Sequence, residues 1–262
     1  MKKIIKLAIN LTSVGAILSI AALNANHFAV VGQPIPNVNS KPTTQSGGPR
    51  FIQPAEDLDP LAPLANPSKP TRAIGNCVKG EIDLTALVPE NKIGRTAAEY
   101  PQFYFYLPET EAPLAEFVLQ DEQGKQIYQT TLKINNSSGV TGVSIPENQN
   151  ISPLQTGKKY RWSVALICNN DDRSGDVIAT GIVRRVELSA DIRSQLENAS
   201  PRQKAVIYAQ NGIWQDALST LAAARSANPN DAELAADWKI LLDSVKLSSI
   251  VAKPIVEIEQ KP

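Results

Sequence analysis

Leu154-Gln155-Thr156-Gly157-Lys158-Lys159-Tyr160-Arg161-Trp162-Ser163-Val164-Ala165-Leu166-Ile167-Cys168 is the stretch that decides the fold. From Tyr160 onward an apolar side chain falls on every second residue: Tyr160, Trp162, Val164, Leu166 and then Cys168. Successive side chains of an extended strand point to opposite faces, so this spacing predicts a strand with one buried face. Trp162 is thereby expected in a core. Gly157 and the polar residues before it predict the turn that feeds the strand.

Working outward, runs with a period near two recur between turn residues over 77–188. They predict strands over Ile82 to Val88, Phe103 to Leu107, Ala115 to Gln120, Gln126 to Ile134, Gly139 to Ile145, Lys158 to Cys168 and Asp176 to Glu187. Asp121-Glu122-Gln123-Gly124 has the makings of a hairpin turn. Seven short strands with no long helix among them predict an antiparallel sandwich. Leu154-x-x-Gly157-x-x-Tyr160-x-Trp162 resembles the loop-to-strand corner of fibronectin type III and related immunoglobulin-like sandwiches. In those folds the tyrosine hydroxyl bonds to upstream backbone and the ring is buried.

Beyond Ser189 the period becomes helical. Ser189-Ala190-Asp191 predicts a cap for a helix reaching about Asn198, and Ser200-Pro201 starts a second. Ala205, Tyr208, Gly212, Trp214, Ala217, Leu221, Ala224 and Pro229 match the spacing of a single tetratricopeptide-like helical hairpin. Asp231 then caps a third helix. A solitary hairpin of this kind has an apolar face to bury, against the sandwich or against another protein. The expected class is therefore α+β, with a β-sandwich over 77–188, a helical hairpin with a third helix over 189–247, and a tail over 248–262. Within the tail, Ile255, Val256 and Ile258 are candidates for a short added edge strand.

At the other end, Lys2, Lys3 and Lys6 precede an uncharged, mostly apolar run from Leu7 to Leu23, the layout of a secretory signal peptide over 1–25, with cleavage expected after Ala25. An uncleaved anchor is the other reading of that run. Nine prolines lie among residues 26–76, which predicts an extended linker on which Phe51 and Ile52 are candidates for local docking. Losing the first 25 residues removes three of 26 basic residues and none of the 26 acidic ones, leaving a net charge of −3. That balance argues against a nucleic-acid partner. The sequence thus predicts an exported chain, periplasmic or extracellular, with no later membrane span.

In such a compartment Cys77 and Cys168 are expected to form a disulfide, the alternatives being two separate buried thiols or a metal or catalytic pair. The one histidine, His27, lies two residues past the expected cleavage point. Histidine-dependent nucleophiles, bases and two-histidine metal sites therefore have no imidazole in the folded part. No catalytic residue, cofactor or metal is assigned. Two groups are candidates for a binding surface. One is the loop with Asp171, Asp172, Arg173 and Asp176, read as a solvated turn with Asx-type hydrogen bonds, or as an irregular calcium or partner-binding loop; its spacing does not fit an EF-hand. The other is Tyr104 and Tyr106, which alternate with Phe103 and Phe105, so that one pair is core and the other meets the helices, a protein or a sugar ring.

Several motifs occur in order: Leu84-Thr85-Ala86-Leu87-Val88-Pro89, Ala98-Glu99-Tyr100-Pro101, Phe103-x-Phe105-Tyr106-x-Pro108, Ala115-Glu116-Phe117-x-Leu119, Tyr160-x-Trp162, Asp172-Arg173-Ser174-Gly175-Asp176 and Gly212-Ile213-Trp214-x-Asp216-Ala217-Leu218. Together they resemble a family of exported cyanobacterial proteins catalogued as a domain of unknown function. That resemblance implies export and no catalytic residues. The leading expectation is a non-enzymatic interaction or structural module of the cell envelope with a protein partner. The alternatives are a glycan or cell-wall binding domain using Tyr104 and Tyr106, and a hydrolase built on carboxylates or a Ser-Lys pair.

Overall fold

In a computed structural model, residues 47–57, 77–135, 138–147 and 151–261 are described. The expected signal segment and most of the proline-rich linker lie outside them. Chain order begins with β1 (Val78–Lys79), β2 (Thr85–Ala86), β3 (Ile93–Thr96), β4 (Gln102–Leu107), β5 (Glu109–Thr110) and β6 (Leu114–Gln120). Next come β7 (Gln126–Lys133), β8 (Gly139–Ser144), β9 (Lys159–Ile167) and β10 (Val177–Arg185). Four helices follow, α1 (Ala190–Glu197), α2 (Pro201–Gln210), α3 (Trp214–Ala227) and α4 (Ala232–Asp243), and then β11 (Glu259–Lys261). The chain is mixed α+β, as its periodicity predicts.

The strands form a six-stranded sheet, β11-β7-β6-β9-β10-β3, a three-stranded sheet, β2-β4-β8, and a two-stranded ladder, β1-β5. The two larger sheets meet through one core. Phe103 and Phe105 of β4 face Phe117, Leu119, Trp162, Val164 and Leu166 of β6 and β9. The Phe103 ring lies 5.2 Å from Phe117 and 5.4 Å from Trp162, separations at which aromatic pairs attract. Gly181 on β10 lies against Trp162, and a Cβ there would stand 2.6 Å from the indole Nε1. At the corner before β9, the Gln155 N–H donates to the Tyr160 hydroxyl at 2.9 Å while the Tyr160 ring is buried.

The other face of β4 carries Tyr104 and Tyr106, and this face is covered too. Tyr104, Tyr106, Leu87 and Val140 join Trp214, Leu218, Leu221, Trp238 and Leu241 in a second core. The body is thus layered as large sheet, small sheet and helices, with β4 buried on both sides. Apolar burial of this kind supplies most of the driving force that holds such layers together.

Three details depart from the sequence reading. All strand pairings were expected to be antiparallel, but β3 runs parallel to β10, with Ile93 opposite Ile182. Ile-Gly-Arg-Thr is too short and too mixed to show a period, and a parallel partner distant in sequence leaves no local turn signal. The strand expected over Ile82 to Val88 shrinks to β2, after which the Leu87 N–H still donates to the Tyr104 carbonyl at 2.9 Å while the Leu87 carbonyl turns to accept from the Trp214 indole. The tail strand forms at Glu259–Lys261, not at Ile255, Val256 and Ile258. Ile255 makes only an isolated bridge to Val140, whose carbonyl and N–H bond Val256 and Pro254. The Gln260 side-chain amide then grips the backbone of Ser144 on β8 through both its oxygen and its nitrogen. The tail in this way holds both sheets at one edge. Among the described residues no helix is long and apolar enough to cross a membrane.

Candidate functional site

The first turn of α3 is the joint between helices and sheets. Three consecutive side chains there bond to three different parts of the β-layer. Trp214 Nε1 donates to the Leu87 carbonyl at 2.8 Å, Gln215 Nε2 to the Gln102 carbonyl at 3.1 Å, and Asp216 Oδ2 accepts from the Ala97 N–H at 3.1 Å. Trp214 and Gln215 are buried, so each bond satisfies a group that water does not reach. Preceding them, Gly212 holds φ +70°, which a residue with a Cβ adopts only at a cost.

Residues 47–57 cross this joint as a strap. The Phe51 ring stands edge-on to Trp214 with centroids 5.2 Å apart, and its N–H donates to the Ser244 hydroxyl at the end of α4. The Ile52 N–H donates to the Ala209 carbonyl at the end of α2 at 3.0 Å, while the Ile52 side chain is exposed. Pro54 packs over Gly212, and Gly48 lies so close to α4 that a Cβ would meet Asp237 and Ile240 at 2.6 Å. The strap ends on Asp57, a buried carboxylate 2.5 Å from Arg95 Nε of β3 and 3.5 Å from Arg184 Nη1 of β10. Glu56 adds a 2.5 Å ion pair to Arg95. Burying a charge is costly without such partners. Docking of Phe51 was a candidate in the sequence; the charged anchor six residues later was not, because its arginines lie in strands far from it in the chain.

The aspartate loop is a turn held by local hydrogen bonds and by one ion pair to β6. Asp172 Oδ1 accepts from the Ser174 N–H at 3.0 Å, and the Asp171 N–H donates to Asn169 Oδ1 at 2.9 Å. Hydrogen bonds from Ser174 hold the Asp172 carboxyl below the usual aspartate range. Arg173 pairs with Asp176 at 2.5 Å and with Glu116 of β6 at 3.2 Å. These are the Asx-type bonds and the Arg-Asp pair of the solvated-turn reading. Among the described residues no group of three or more His, Cys, Asp and Glu side chains is placed to hold a metal ion.

Tyr104 and Tyr106 do not form a binding surface. Each is 4% exposed beneath the helices, so a sugar ring has no face of either to stack on. Of the acidic residues near β4, Glu111 pairs with Lys79 at 2.8 Å, which lowers its affinity for a proton, whereas a general acid needs the opposite shift. Cys77 and Cys168 are joined in a disulfide with Cα atoms 5.5 Å apart. A shallow groove of about 470 Å³ also runs along β7, lined by residues including Gln126, Ile127, Gln129, Ile151 and Lys261.

Over residues 68–255 the chain matches the family described as Domain of Unknown Function (DUF928). The chain belongs to this family. No curated protein matches it. The DUF928 stretch contains the disulfide, the α3 joint, Arg95 and Arg184. The strap lies before it and β11 after it, so two segments outside the DUF928 match complete the packing of the domain.

Asp216 is the group at which the joint is expected to respond to pH. Burial pushes its carboxyl up to about 6, partly offset by hydrogen bonds from Thr96 and the Ala97 backbone. Since that is above the value near 3.9 of an unfolded aspartate, the folded state holds the proton more tightly. The contribution to stability is therefore fully present below about pH 4 and is lost as pH rises through about 6, on the order of 1–3 kcal/mol in all. Asp216→Asn keeps an acceptor for Ala97 and removes the charge. The substituted chain is expected to melt higher than wild type at pH 7.5, with the difference closing between pH 6 and 4; a constant difference across that range would show that Asp216 is not the group responsible.

Proposed function

We propose that this DUF928 chain is a non-enzymatic interaction or structural module of the cell envelope, exported to the periplasm or the extracellular space. The observation that carries this reading is the strap. The helices hold a short peptide by a ring and a main-chain hydrogen bond, and the β3–β10 edge holds its end by a buried ion pair, which are the means by which proteins recognise peptides. The basic, apolar layout of residues 1–25 supports export, and the disulfide suits an oxidising compartment. In the finer reading, the two facing sheets are an immunoglobulin- or fibronectin-like sandwich, supported by the Tyr160 corner. The pair α2–α3 is a tetratricopeptide-like hairpin, supported by the close packing of Ala205, Ala209, Ala217 and Leu221. A cyanobacterial, exported membership of the family belongs to the same proposal.

Fractionated cells are expected to yield the protein in the envelope or medium with a new N-terminus near Asn26. Intact Met1 on protein from the cytosol would overturn the compartment. Crosslinking in those cells, followed by capture, is expected to return the same envelope protein in repeated preparations, and a broad hydrolase screen is expected to be blank. Turnover of any substrate would replace the module reading with an enzymatic one.

A further inference from the structure

We infer that the face made by the ends of α2 and α4, the first turn of α3 and the Arg95–Arg184 pair is a peptide-binding seat, and that residues 48–57 are its ligand in cis. The partner it fits is a peptide of another protein that carries an aromatic residue, a proline three positions on and a carboxylate three beyond that, the last presented from a single tight turn.

The spacing comes from the strap itself. Its contacts recur at Gly48, Phe51, Pro54 and Asp57, every third residue, and the last step is a 3-10 turn in which the Asp57 N–H donates to the Pro54 carbonyl at 3.1 Å, so the carboxylate is presented from a tight turn. Each anchor has its own receptor: the Asp237 and Ile240 side chains of α4, the Trp214 ring, the bare Gly212 turn, and the two guanidinium groups.

The arginine end points to a ligand independently. Arg95 and Arg184 are direct neighbours across the parallel pairing of β3 and β10, and their side chains are 11% and 29% exposed. Like charges directly opposite each other destabilise a sheet unless an anion lies between them. The DUF928 stretch supplies both cations, and the anion comes from outside it. Asp57 also leaves donor capacity over: its contact to Arg184 is 3.5 Å long, and Arg184 Nε is buried without an acceptor. A seat whose charged end is built into the domain and only partly filled by the strap is one that a competing carboxylate can enter.

A tethered ligand competes at an effective concentration on the order of millimolar, so the seat is open to peptides in trans only when the strap is weakened or outcompeted. The inference rests on the interaction-module reading and gives it a site, but its test depends on neither the compartment nor the recovery of a partner, so the two fail separately. The full chain carrying Phe51→Ala and Asp57→Asn is titrated with a fluorescent synthetic peptide of residues 47–57 and read by anisotropy. It is expected to bind at least ~100-fold more tightly than wild type, and a peptide with its own Phe replaced by Ala is expected to lose that binding.

Equal affinity for the two chains, or no uptake by a variant that circular dichroism shows to be folded, would overturn the assignment. Dimerisation of the variant in size exclusion would also overturn it, by making a second copy the occupant. Should the double variant fail to fold, Pro54→Ala alone keeps both buried anchors and loosens the strap over Gly212. A gain of ~10-fold over wild type is then expected, corresponding to ~1.4 kcal/mol, and no gain would count against the seat.

Discussion

Reduction of the Cys77–Cys168 disulfide is expected to lower the melting temperature by about 10 °C. The bond closes a loop spanning a sequence separation of 91. Opening a loop of that size returns conformational freedom to the unfolded chain worth about 4–5 kcal/mol in the chain-entropy account, within the ~2–5 kcal/mol range seen on removing native disulfides. At roughly 2–4 °C per kcal/mol for a chain of this size, the shift is easily measured. The local structure adds a reason for the loss to begin at one end. Cys77 precedes β1, a strand of two residues paired only with β5, and its carbonyl accepts from Glu111 N–H at 2.8 Å and Thr110 Oγ1 at 2.7 Å. So short a ladder does not hold by itself. Thermal melts with and without reductant, compared with the Cys77→Ala, Cys168→Ala double variant, test this. The variant should melt with the reduced wild type and no longer respond to reductant. Two reactive thiols in unfolded, unreduced protein would refute the pairing.

The second large effect is expected at Trp214. Trp214→Ala leaves a cavity between sheet and helices and orphans the buried Leu87 carbonyl, for a combined loss of about 4–6 kcal/mol. Trp214→Phe keeps most of the apolar volume and removes only the donor, at about 1–3 kcal/mol. Melts followed at far-ultraviolet and near-ultraviolet wavelengths separate the outcomes. For Trp214→Ala the helical signal is expected to be lost ahead of the sheet's aromatic signal, since the joint that couples them is gone. Equal losses for the two variants would place the energy of docking in the hydrogen bond and not in the ring. Phe51 leans on the same indole, so the alanine variant should also loosen the strap.

The strands with a clear alternation were legible in the chain, and so was the corner at Tyr160, because both are local patterns. The elements that escaped reading are short and polar. Glu259–Lys261 has no apolar residue, yet it extends the large sheet against Thr131, Leu132 and Lys133. Backbone pairing needs no hydrophobic side chain, so it leaves no period to find. The candidate site was only half legible. Phe51 stood out as an aromatic in a proline-rich stretch, while Arg95 lay outside every expected strand and Arg184 within one, and only the parallel pairing set them side by side.

By itself the sequence determined the character of the strongly patterned segments: the longer alternating strands, the C-terminal helices, and Trp162 as core. These follow from side-chain chemistry repeated at short, fixed intervals. Only the tertiary structure decided what each surface faces. Phe103 and Tyr104 present equally apolar faces of one strand, and nothing local distinguishes the face that meets a sheet from the face that meets a helix. That choice belongs to pairings between residues a hundred positions apart, made when burial of the whole outweighs any single segment's preference.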